Sequence, residues 1–560
     1  MPTAPAPAGS RSPARSSTEK SVTRLCVSFR AHLAAAVETM KFLERRSAGV
    51  LVPLFSIRSE RQWGVGEYPD LARFAQWARG GGFSLVMTLP LLEPSPGQDS
   101  PYSSCSFFAL DPLYLHVPDA PGFEAMGGLG SLSGAERALL ESVNESPRVL
   151  HADVRRLKEA VLRRCFERFE RDEPRGSERR RALDAFVFEH RHWIHDYALF
   201  RTLKARHPES WRDWPPALRD GDPDALARFR DEHASEIGFR VWLQFLAFGQ
   251  HQAARLEAAA AGVVLGGDEP FLVADDSADV WSRKDRYRFD ATVGAPPDAF
   301  SADGQEWGLP PYRWERIAEE GYELFAQRGR HTAKLYQLIR IDHVVGLYRT
   351  YHRPLDKSPH YFWPAHEHEQ RAQGEAVLRA FGSAGTELIA EDLGVIPDFV
   401  RESLRQLGIP GYRVLRWEKD HDQFRDPARW PELSVATTGT HDTESSIEWW
   451  DTLPDWERRA ARRIPQLSRV PEERTRRYGE ELHEALLDAV YRSASRVALL
   501  PVQDVLALRD RINTPNTVGP ENWSWRMPWT VSAMDGDAIV RGRQRALFRL
   551  AESTERVAPR

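Results

Sequence analysis

In three segments of the sequence, an apolar, β-prone run is followed by a residue with a carboxylate side chain. They are LIRIDHVVG with Asp342, ELIAEDLGVIP with Glu391 and Asp392, and SVATTGTHDTES with Asp442. Asp342 and Glu391 are 49 residues apart, and Glu391 and Asp442 are 51 residues apart. One βα unit takes about 30 residues or more, so these acids fall at the ends of different strands. In a parallel barrel all strand carboxyl ends open on one face, where the acids are predicted to converge.

Converging carboxylates in a sugar-sized cleft can cleave a glycosidic bond. One attacks the sugar carbon, and a second, protonated, acid gives its proton to the leaving oxygen. Arg340 lies two residues before Asp342, so both side chains point to one face of a strand and the guanidinium favours an ionised Asp342. Glu391 has no basic neighbour in sequence, which favours the raised pKa of an acid. A single Asp after a strand is more often a cap or a turn residue, as we expect for Asp392, so the prediction rests on the three acids together.

Eight short apolar runs alternate with helical patterns, which predicts an α/β fold, a (β/α)₈ TIM barrel. The runs are GVLVPLF (49–55), FSLVMTL (83–89), VVLGG (263–267), LIRI (338–341), ELIA (387–390), YRVLRW (412–417), SVATT (434–438) and RVALLPV (496–502). Their uneven spacing predicts large, mostly helical insertions at about 95–240 and 268–330, which form subdomains around the active-site cleft. The residues after the last run are too few for a C-terminal β-sandwich domain.

One amphipathic helix is visible inside the first insertion. Its apolar residues recur at helical spacing, and Cys165 within them is predicted to be a packing residue. They are Val154, Leu157, Val161, Leu162, Cys165, Phe166 and Phe169.

The composition excludes several classes of protein. The chain has 560 residues, 76 Lys and Arg against 81 Asp and Glu, and a net charge of −5, so no global positive field attracts nucleic acid or an anionic membrane. No apolar run reaches about 18 residues, so no membrane span is expected. The three cysteines (Cys26, Cys105 and Cys165) form no CxxC pair, which favours a cytoplasmic protein without a metal cage.

Residues 1–45 form a candidate N-terminal extension. The first 20 or so are mainly Pro, Ala, Ser and Arg, with little to bury, which predicts disorder. An Arg- and Ser-rich start also fits a transit peptide, and translation from Met40 is a third interpretation. We treat 1–45 as a dispensable tail and 46–560 as the catalytic barrel.

Seven segments together resemble the 4-alpha-glucanotransferase family, also called amylomaltase or disproportionating enzyme, within the alpha-amylase-like retaining glycosidases. Three carry the acids: RIDHVVGLYR, IAEDLGVIP and TGTHDTE. The others are DSPYSSCSFFALDPLYL (99–115), GGDEPFLVADDSADVW (266–281), GAPPDAFSADGQEWGLPPYRW (294–314) and DRINTPNTVGPENWSWR (510–526). They occur in the family's order from about residue 50 to 530.

This resemblance implies a role for each acid. Asp342 becomes the nucleophile, Glu391 the general acid/base, and Asp442 the third carboxylate, which grips sugar hydroxyls and stabilises the oxocarbenium-like charge. The implied substrate-binding residues are Ser100, Tyr102, Asp268, Gln305, Trp307, Arg340, His343, His441 and Asn513. No metal and no cofactor are implied.

Some of these assignments leave alternatives open. Ser100 fits a turn equally well, since Pro101 fixes φ there, and His343 and His441 could instead bond a backbone carbonyl. Asp276 and Asp279 are expected to cap the next helix.

The chain also departs from the family's pattern. Glu269 occupies a position where the family more often has a small apolar residue. Leu309 occurs where the family commonly has Asn, and Leu110-Asp111 occurs where it commonly has Gly-Asn. These departures concern subsite contacts and not the three acids.

The expected activity is transfer of an α-1,4-glucan segment from a donor glucan or maltooligosaccharide to the 4-OH of an acceptor glucan or glucose. It would proceed with retention through a covalent glycosyl-Asp342 intermediate. The alternatives are an alpha-glucan hydrolase that uses the same acids and a non-catalytic glucan-binding barrel. Partners other than glucans and glucose are not expected, and the chain is predicted to be a monomer or weak oligomer.

Overall fold

The computed structural model describes residues 41–297 and 304–557. The predictions for a disordered start, a transit peptide and a start at Met40 lie outside the described residues. Residues 298–303, part of the segment that precedes Trp307, also lie outside them.

Eight parallel strands close into a barrel, and one strand falls on each predicted apolar run. They are β1 (Ser47–Leu51), β2 (Leu85–Met87), β3 (Val264–Glu269), β4 (Leu338–Ile341), β5 (Glu387–Ala390), β6 (Gly411–Val414), β7 (Ser434–Thr437) and β8 (Val497–Pro501). Each strand pairs with its neighbours in sequence, and β1 pairs with β8 to close the ring. The predicted (β/α)₈ barrel is therefore confirmed.

Burial explains why these strands could be found in the sequence. All five residues of β1 and of β8 are buried, because the barrel interior covers one face and the helices cover the other. The first run was predicted to reach residue 55, but β1 ends at Leu51, shortly before Pro53, which has no N–H for a strand ladder.

A long helix separates most successive strands. These helices are Tyr68–Gly80 before β2, Ala234–Ala260 before β3, Glu323–Leu335 before β4, Glu367–Gly382 before β5, Asp398–Gln406 before β6, Glu480–Tyr491 before β8 and Ala538–Ser553 after β8. The connection from β6 to β7 contains only a 3₁₀ turn, Pro427–Arg429, among its described helical elements. Shorter helices are Ala278–Ser282, Trp314–Glu319, Val345–Tyr348, Ser446–Thr452, Asp455–Ala461, Val502–Val505 and Val531–Met534.

The connection from β2 to β3 holds the first large insertion, which is helical. Besides the long helix before β3 it contains Gly134–Glu145, His151–Asp172, Glu178–Glu189, Ile194–Arg206, Pro216–Asp220 and Pro223–Glu232. The predicted apolar stripe is buried along His151–Asp172, and Cys165 packs within it.

The second insertion differs from the expected helical structure, because it contributes two strands to a four-stranded antiparallel sheet. The strand order is Gln305–Leu309, Ala291–Ala295, Thr350–Pro354 and Tyr361–Trp363. The last two strands belong to the loop after β4, so the sheet joins two different βα loops. Pairing between separate loops leaves no periodic signal in either segment, and sequence analysis missed it.

Both ends of the described chain belong to the barrel. Residues 41–45, which the sequence analysis assigned to the N-terminal extension, contain a 3₁₀ turn whose Phe42 and Leu43 are buried. The backbone N–H groups of these two residues donate to the Glu387 carboxylate on β5, at 2.6 and 2.9 Å. Beyond β8, residues 502–557 form helices and no strand. Within the described ranges no helix is long and apolar enough to cross a membrane.

A buried ion pair attaches the first insertion to the barrel. Lys158, on helix His151–Asp172, places its Nζ 2.6 Å from Oε1 of Glu67, the residue that caps helix Tyr68–Gly80. The same ammonium donates to the carbonyls of Leu113 and Leu115, each at 2.8 Å. Both charged side chains are at most 2% exposed, so the Lys158 ammonium is balanced by the Glu67 carboxylate, whose second oxygen contacts Nδ1 of His116.

We therefore expect Lys158→Ala to lower the free energy of unfolding by roughly 3–5 kcal/mol, because it leaves the Glu67 carboxylate buried without its cation. Urea unfolding followed by tryptophan fluorescence measures this loss. The control is Arg379→Ala, which removes a cation that is 62% exposed and pairs with Glu375. That change should cost under about 1 kcal/mol, and equal losses for both variants would contradict a special role for the buried pair.

Candidate active site

A cavity of about 400 Å³ lies at the carboxyl ends of the strands. Asp342 directly follows β4 and Glu391 directly follows β5, and these two strands are paired in the barrel. The predicted convergence of these two acids is therefore what the structure shows. The lining residues are Tyr102, Ser103, Pro270, Phe271, Leu272, Trp307, Leu309, Asp342, His343 and Glu391.

One buried guanidinium group holds two carboxylates on the floor of this site. Nη1 of Arg340 lies 2.7 Å from both carboxylate oxygens of Asp268 and 2.9 Å from Oδ1 of Asp342. Asp268 is fully buried at the end of β3, whereas 26% of the Asp342 side chain is exposed. The Tyr102 hydroxyl donates to Oδ2 of Asp268 at 2.8 Å. Asp342 is thus the open carboxylate of the pair, and its Oδ1 lies in direct contact with a cation.

Glu391 has the environment of an acid. Its carboxyl oxygens accept hydrogen bonds from the backbone N–H groups of His343, at 2.9 Å, and Leu393, at 2.8 Å. Burial raises the pKa of Glu391 to about 7; the nearby Asp342 charge adds to this effect and the positive charge of Arg340 opposes it. At neutral pH this carboxyl therefore holds its proton for a substantial fraction of the time.

His343 connects the two acids through its backbone. A φ of 45° turns the chain directly after Asp342, which directs the His343 N–H toward Glu391. The imidazole ring packs against Phe271, with centroids 5.2 Å apart, and edge-on to Trp307 at 4.9 Å. Burial lowers the pKa of His343 to about 4, so the ring is neutral at physiological pH.

Asp442, after β7, is fixed by its neighbours and stays ionised. Its Oδ1 accepts a hydrogen bond from the Asn513 amide at 2.6 Å, and Oδ2 lies 3.3 Å from Nε2 of His441. Burial opposes the charge, but His441 and Asn513 outweigh it and lower the pKa of Asp442 to about 2. The His441 ring stacks on Tyr102 at 5.1 Å, which places Asp442 beside the cavity.

Three predicted substrate-binding residues make their hydrogen bonds within the protein. The Ser100 hydroxyl accepts from the backbone N–H of Tyr102 at 3.3 Å, which agrees with the interpretation of Ser100 as a turn residue. Oε1 of Gln305 accepts from the Trp307 indole N–H at 3.0 Å, and Asn513 holds Asp442. Gln305 and Asn513 therefore orient residues that face the site, and their direct contact with sugar remains a prediction.

The prediction that Asp276 and Asp279 cap the next helix is wrong. Helix Ala278–Ser282 is capped by Ser277, whose hydroxyl accepts from the Val280 N–H. Asp276 instead accepts from Lys204 at 2.6 Å, and Asp279 accepts from a backbone N–H of the 99–115 segment at 2.8 Å. Ser competes well for the cap position, so the acids on either side of it can tie the helix to other segments.

Sequence analysis did not single out two aromatic residues of the site. Phe271 lines the cavity and contacts both Trp307 and His343. Trp523 lies 5.8 Å from Tyr102 and 5.9 Å from His441, behind their stacked rings. Both stand in segments that carry the family resemblance, and their aromatic type was the available signal.

The departures from the family's pattern have structural partners here. Asp111 accepts a two-pronged hydrogen bond from Arg155, both distances being 2.7 Å. Glu269 is buried against Arg328, with 2.9 Å between Oε1 and Nε, while Leu309 lines the cavity.

Fold and site together define a barrel enzyme with a carboxylate-rich, aromatic-walled pocket at the carboxyl ends of its strands. The sequence profile of the 4-alpha-glucanotransferase family matches residues 52–532. The chain belongs to this family and is an enzyme of the 4-alpha-glucanotransferase type.

Individual relatives cover most of the chain. A 4-alpha-glucanotransferase from Thermus thermophilus is 33% identical over 517 residues, which is 88% of this chain and 96% of the relative. One from Chlamydia pneumoniae is 32% identical over 501 residues, or 86% and 91% of the two chains. The structure is similar to that of an amylomaltase from Streptococcus agalactiae in complex with acarbose, with a TM-score of 0.78 and 25% identity over 92% of this chain and all of that one.

The protonation of Glu391 predicts the pH dependence of activity. With Glu391 as the general acid that the family resemblance implies, the reactive form is the protonated one, so kcat/KM should be flat below about pH 7 and then fall as the pH rises through the pKa. A pH–rate profile with maltotriose measures this fall in kcat/KM at high pH, which is the basic limb of the profile. Glu391→Gln should remove the limb and lower kcat/KM by about 10²–10⁴-fold.

Glu269 supplies the matched control, because burial also raises its pKa to about 7. Glu269→Gln should keep the basic limb. Loss of the limb in this variant, or its persistence in Glu391→Gln, would contradict the assignment to Glu391.

Proposed function

We propose that the enzyme transfers α-1,4-glucan segments by a double displacement in which Asp342 is the nucleophile and Glu391 the general acid/base. In the first step, the C1–O bond of the donor breaks, its oxygen takes the proton of Glu391, and C1 bonds to Asp342. In the second step, the 4-OH of an acceptor gives its proton to Glu391 while its oxygen replaces Asp342 at C1. Two inversions at C1 give net retention.

One observation carries this proposal: two neighbouring carboxyl groups face one cavity, one in direct contact with a cation and the other dominated by burial. Asp342 contacts the Arg340 guanidinium, which favours the anion that a nucleophile must be. Glu391 accepts only backbone N–H groups in the described hydrogen bonds and has a pKa near 7. Such a difference between paired acids is typical of nucleophile and acid in retaining glycoside chemistry.

Asp442 is proposed as the third carboxylate. Its side chain is 42% exposed and ionised, so its free lone pairs can accept from sugar hydroxyls and its charge can stabilise an oxocarbenium-like transition state. The stacked Tyr102 and His441 rings would present an apolar face and an imidazole N–H to the glucosyl unit being transferred. Asp268 and Arg340 would hold the floor of that subsite.

Trp307, Phe271 and Leu309 are proposed as the acceptor wall. Flat aromatic faces suit sugar rings, and an apolar wall excludes the water that would compete for the covalent intermediate. A bound sugar acceptor also raises the effective concentration of the attacking 4-OH. These two effects together would favour transfer over hydrolysis.

The proposal extends to the organisation of the chain. Residues 41–560 would form one catalytic barrel, since Phe42 and Leu43 are buried against it. The 95–240 and 268–330 insertions would form walls of the cleft, and only the residues before 41 would be a dispensable extension. The enzyme would act in the cytoplasm as a monomer or weak oligomer, on glucans and glucose and without nucleic acid or membrane partners. No group of three or more His, Cys, Asp or Glu side chains is placed to hold a metal ion within residues 41–297 and 304–557.

Incubation with maltotriose tests the activity. Transfer conserves the number of reducing ends, whereas hydrolysis adds one for each bond cleaved. We expect glucose together with chains longer than maltotriose, at a nearly constant number of reducing ends. Glucose and maltose alone, with rising reducing ends, would identify a hydrolase instead.

Asp342→Asn tests the nucleophile, because the neutral amide cannot form the glycosyl intermediate. We expect a loss of about 10⁴-fold or more in kcat, a size typical of nucleophile removal. Asp488→Asn, a change in a carboxylate paired with Arg492 on an outer helix, is the control and should retain activity. Unchanged activity in Asp342→Asn would mean that a different residue is the nucleophile, whereas a wild type that does not convert maltotriose would indicate a glucan-binding protein.

A further inference from the structure

Arg328 is a buried arginine directly behind the cavity wall. It lies on helix Glu323–Leu335 and is 2% exposed. Its guanidinium Nη2 donates to the carbonyl of Pro270 at 2.6 Å, and Nη1 lies 3.4 Å from the carbonyl of Phe271. Pro270 and Phe271 both line the cavity, so one side chain outside the site holds the backbone of two consecutive wall residues.

Two further side chains complete this arrangement, which we call the Arg328 cluster (Arg328, Glu269 and Tyr312). Glu269 accepts from Nε of Arg328 at 2.9 Å, and this pair fixes the orientation of the guanidinium plane. The Tyr312 hydroxyl accepts from Nη1 of Arg328 at 3.1 Å and donates to the carbonyl of Phe271 at 2.9 Å. Phe271 is therefore held by two donors through its carbonyl, while its ring is free to face the cavity.

The ring of Phe271 touches both sides of the proposed reaction centre. It contacts Trp307, the indole of the acceptor wall, with centroids 5.9 Å apart, and His343, whose backbone N–H donates to Glu391. Gly346 leaves the space for this packing, because an added Cβ there would lie 2.8 Å from the Phe271 ring. A shift of the Phe271 backbone would therefore open the wall next to the acid/base.

The Arg328 cluster itself has no contact with the cavity. The guanidinium stacks on Phe107, 3.6 Å from the ring centroid, and Phe107 is not among the lining residues. None of Arg328, Glu269 and Tyr312 lines the cavity. The side chains of the cluster therefore reach the cavity through the backbone of Pro270 and Phe271, whereas the backbone carbonyl of Glu269 accepts from the Asp342 N–H at 3.0 Å as part of the barrel ladder.

We propose that Arg328, oriented by Glu269 and Tyr312, is a positioning residue that fixes the Phe271 wall and thereby sets how the glycosyl intermediate partitions between a sugar acceptor and water. This inference rests on the proposed function. It adds a specificity determinant outside the site, and it gives a role to Glu269, one of the positions at which this chain departs from the pattern of the family it resembles.

The test measures partition as well as rate. In the maltotriose assay, new reducing ends per glucose released give the fraction of intermediates captured by water. Arg328→Met should raise this fraction about fivefold, the effect of losing about one net hydrogen bond from the wall. Tyr312→Phe removes one hydroxyl and should raise it about twofold, with a higher KM for added glucose as acceptor and a smaller change in the rate of donor cleavage.

Matched controls separate this role from general destabilisation. Arg556→Met removes an equally buried arginine that donates to backbone carbonyls of Tyr491 and Ser47, the first residue of β1 and so at the opposite end of the barrel. Tyr68→Phe removes a buried hydroxyl that donates to the carbonyl of Asp111. Both controls should keep the wild-type fraction even where they lower the unfolding midpoint.

An unchanged fraction in Arg328→Met overturns the inference. If Arg328→Met does not fold, Tyr312→Phe is the deciding variant. An unchanged fraction of intermediates captured by water and an unchanged KM for the glucose acceptor in Tyr312→Phe would also overturn the inference. Failure of the proposed function is distinguishable, since wild type would then form no chains longer than maltotriose. If the wild type forms longer chains and the cluster variants partition the glycosyl intermediate as the wild type does, only the proposed role of the Arg328 cluster is contradicted.

Discussion

The Arg340 guanidinium is the interaction on which the rest of the site depends. Two carboxylates, Asp268 and Asp342, meet at its Nη1 in a buried position between β3 and β4. Without a cation there, two acids so close together could not both ionise, and one would hold a proton. Arg340 is 7% exposed, so its charge in turn needs a carboxylate partner, which the fully buried Asp268 supplies. Asp342 is the member of the triplet that is open to the cavity.

Different environments give the acids different protonation states within one small site. Arg340 contacts Asp342, whereas Glu391 accepts hydrogen bonds from backbone N–H groups, and burial dominates its pKa. Asp442 has its own partners, His441 and Asn513, and its pKa moves in the opposite direction. The backbone N–H of His343, the residue after Asp342, donates to Glu391 at 2.9 Å, so one hydrogen bond and one peptide bond connect the two acids.

The barrel and the acids could be predicted from sequence because both are set by strands. A barrel strand is buried on both faces, so it appears as a continuous apolar run, and the residue after such a run lies at the functional end. Asp342 and Glu391 were predicted in this way, and both line the cavity. The partners from distant loops could not be predicted, since the strands Thr350–Pro354 and Ala291–Ala295 pair only in three dimensions. For the same reason Phe271 and the orienting roles of Gln305 and Asn513 were not visible in any local pattern.

The end of β3 shows how one strand serves both the chemistry and its walls. Successive residues of a strand point to opposite faces. Asp268 accordingly points into the barrel toward Arg340 and Tyr102, and Glu269 points outward to Arg328 on a surrounding helix. The next two residues, Pro270 and Phe271, leave the strand and form the cavity wall. Because these four residues are consecutive, the end of β3 connects the floor of the site to its wall, and the Arg328 and Tyr312 side chains hold that wall from outside the barrel.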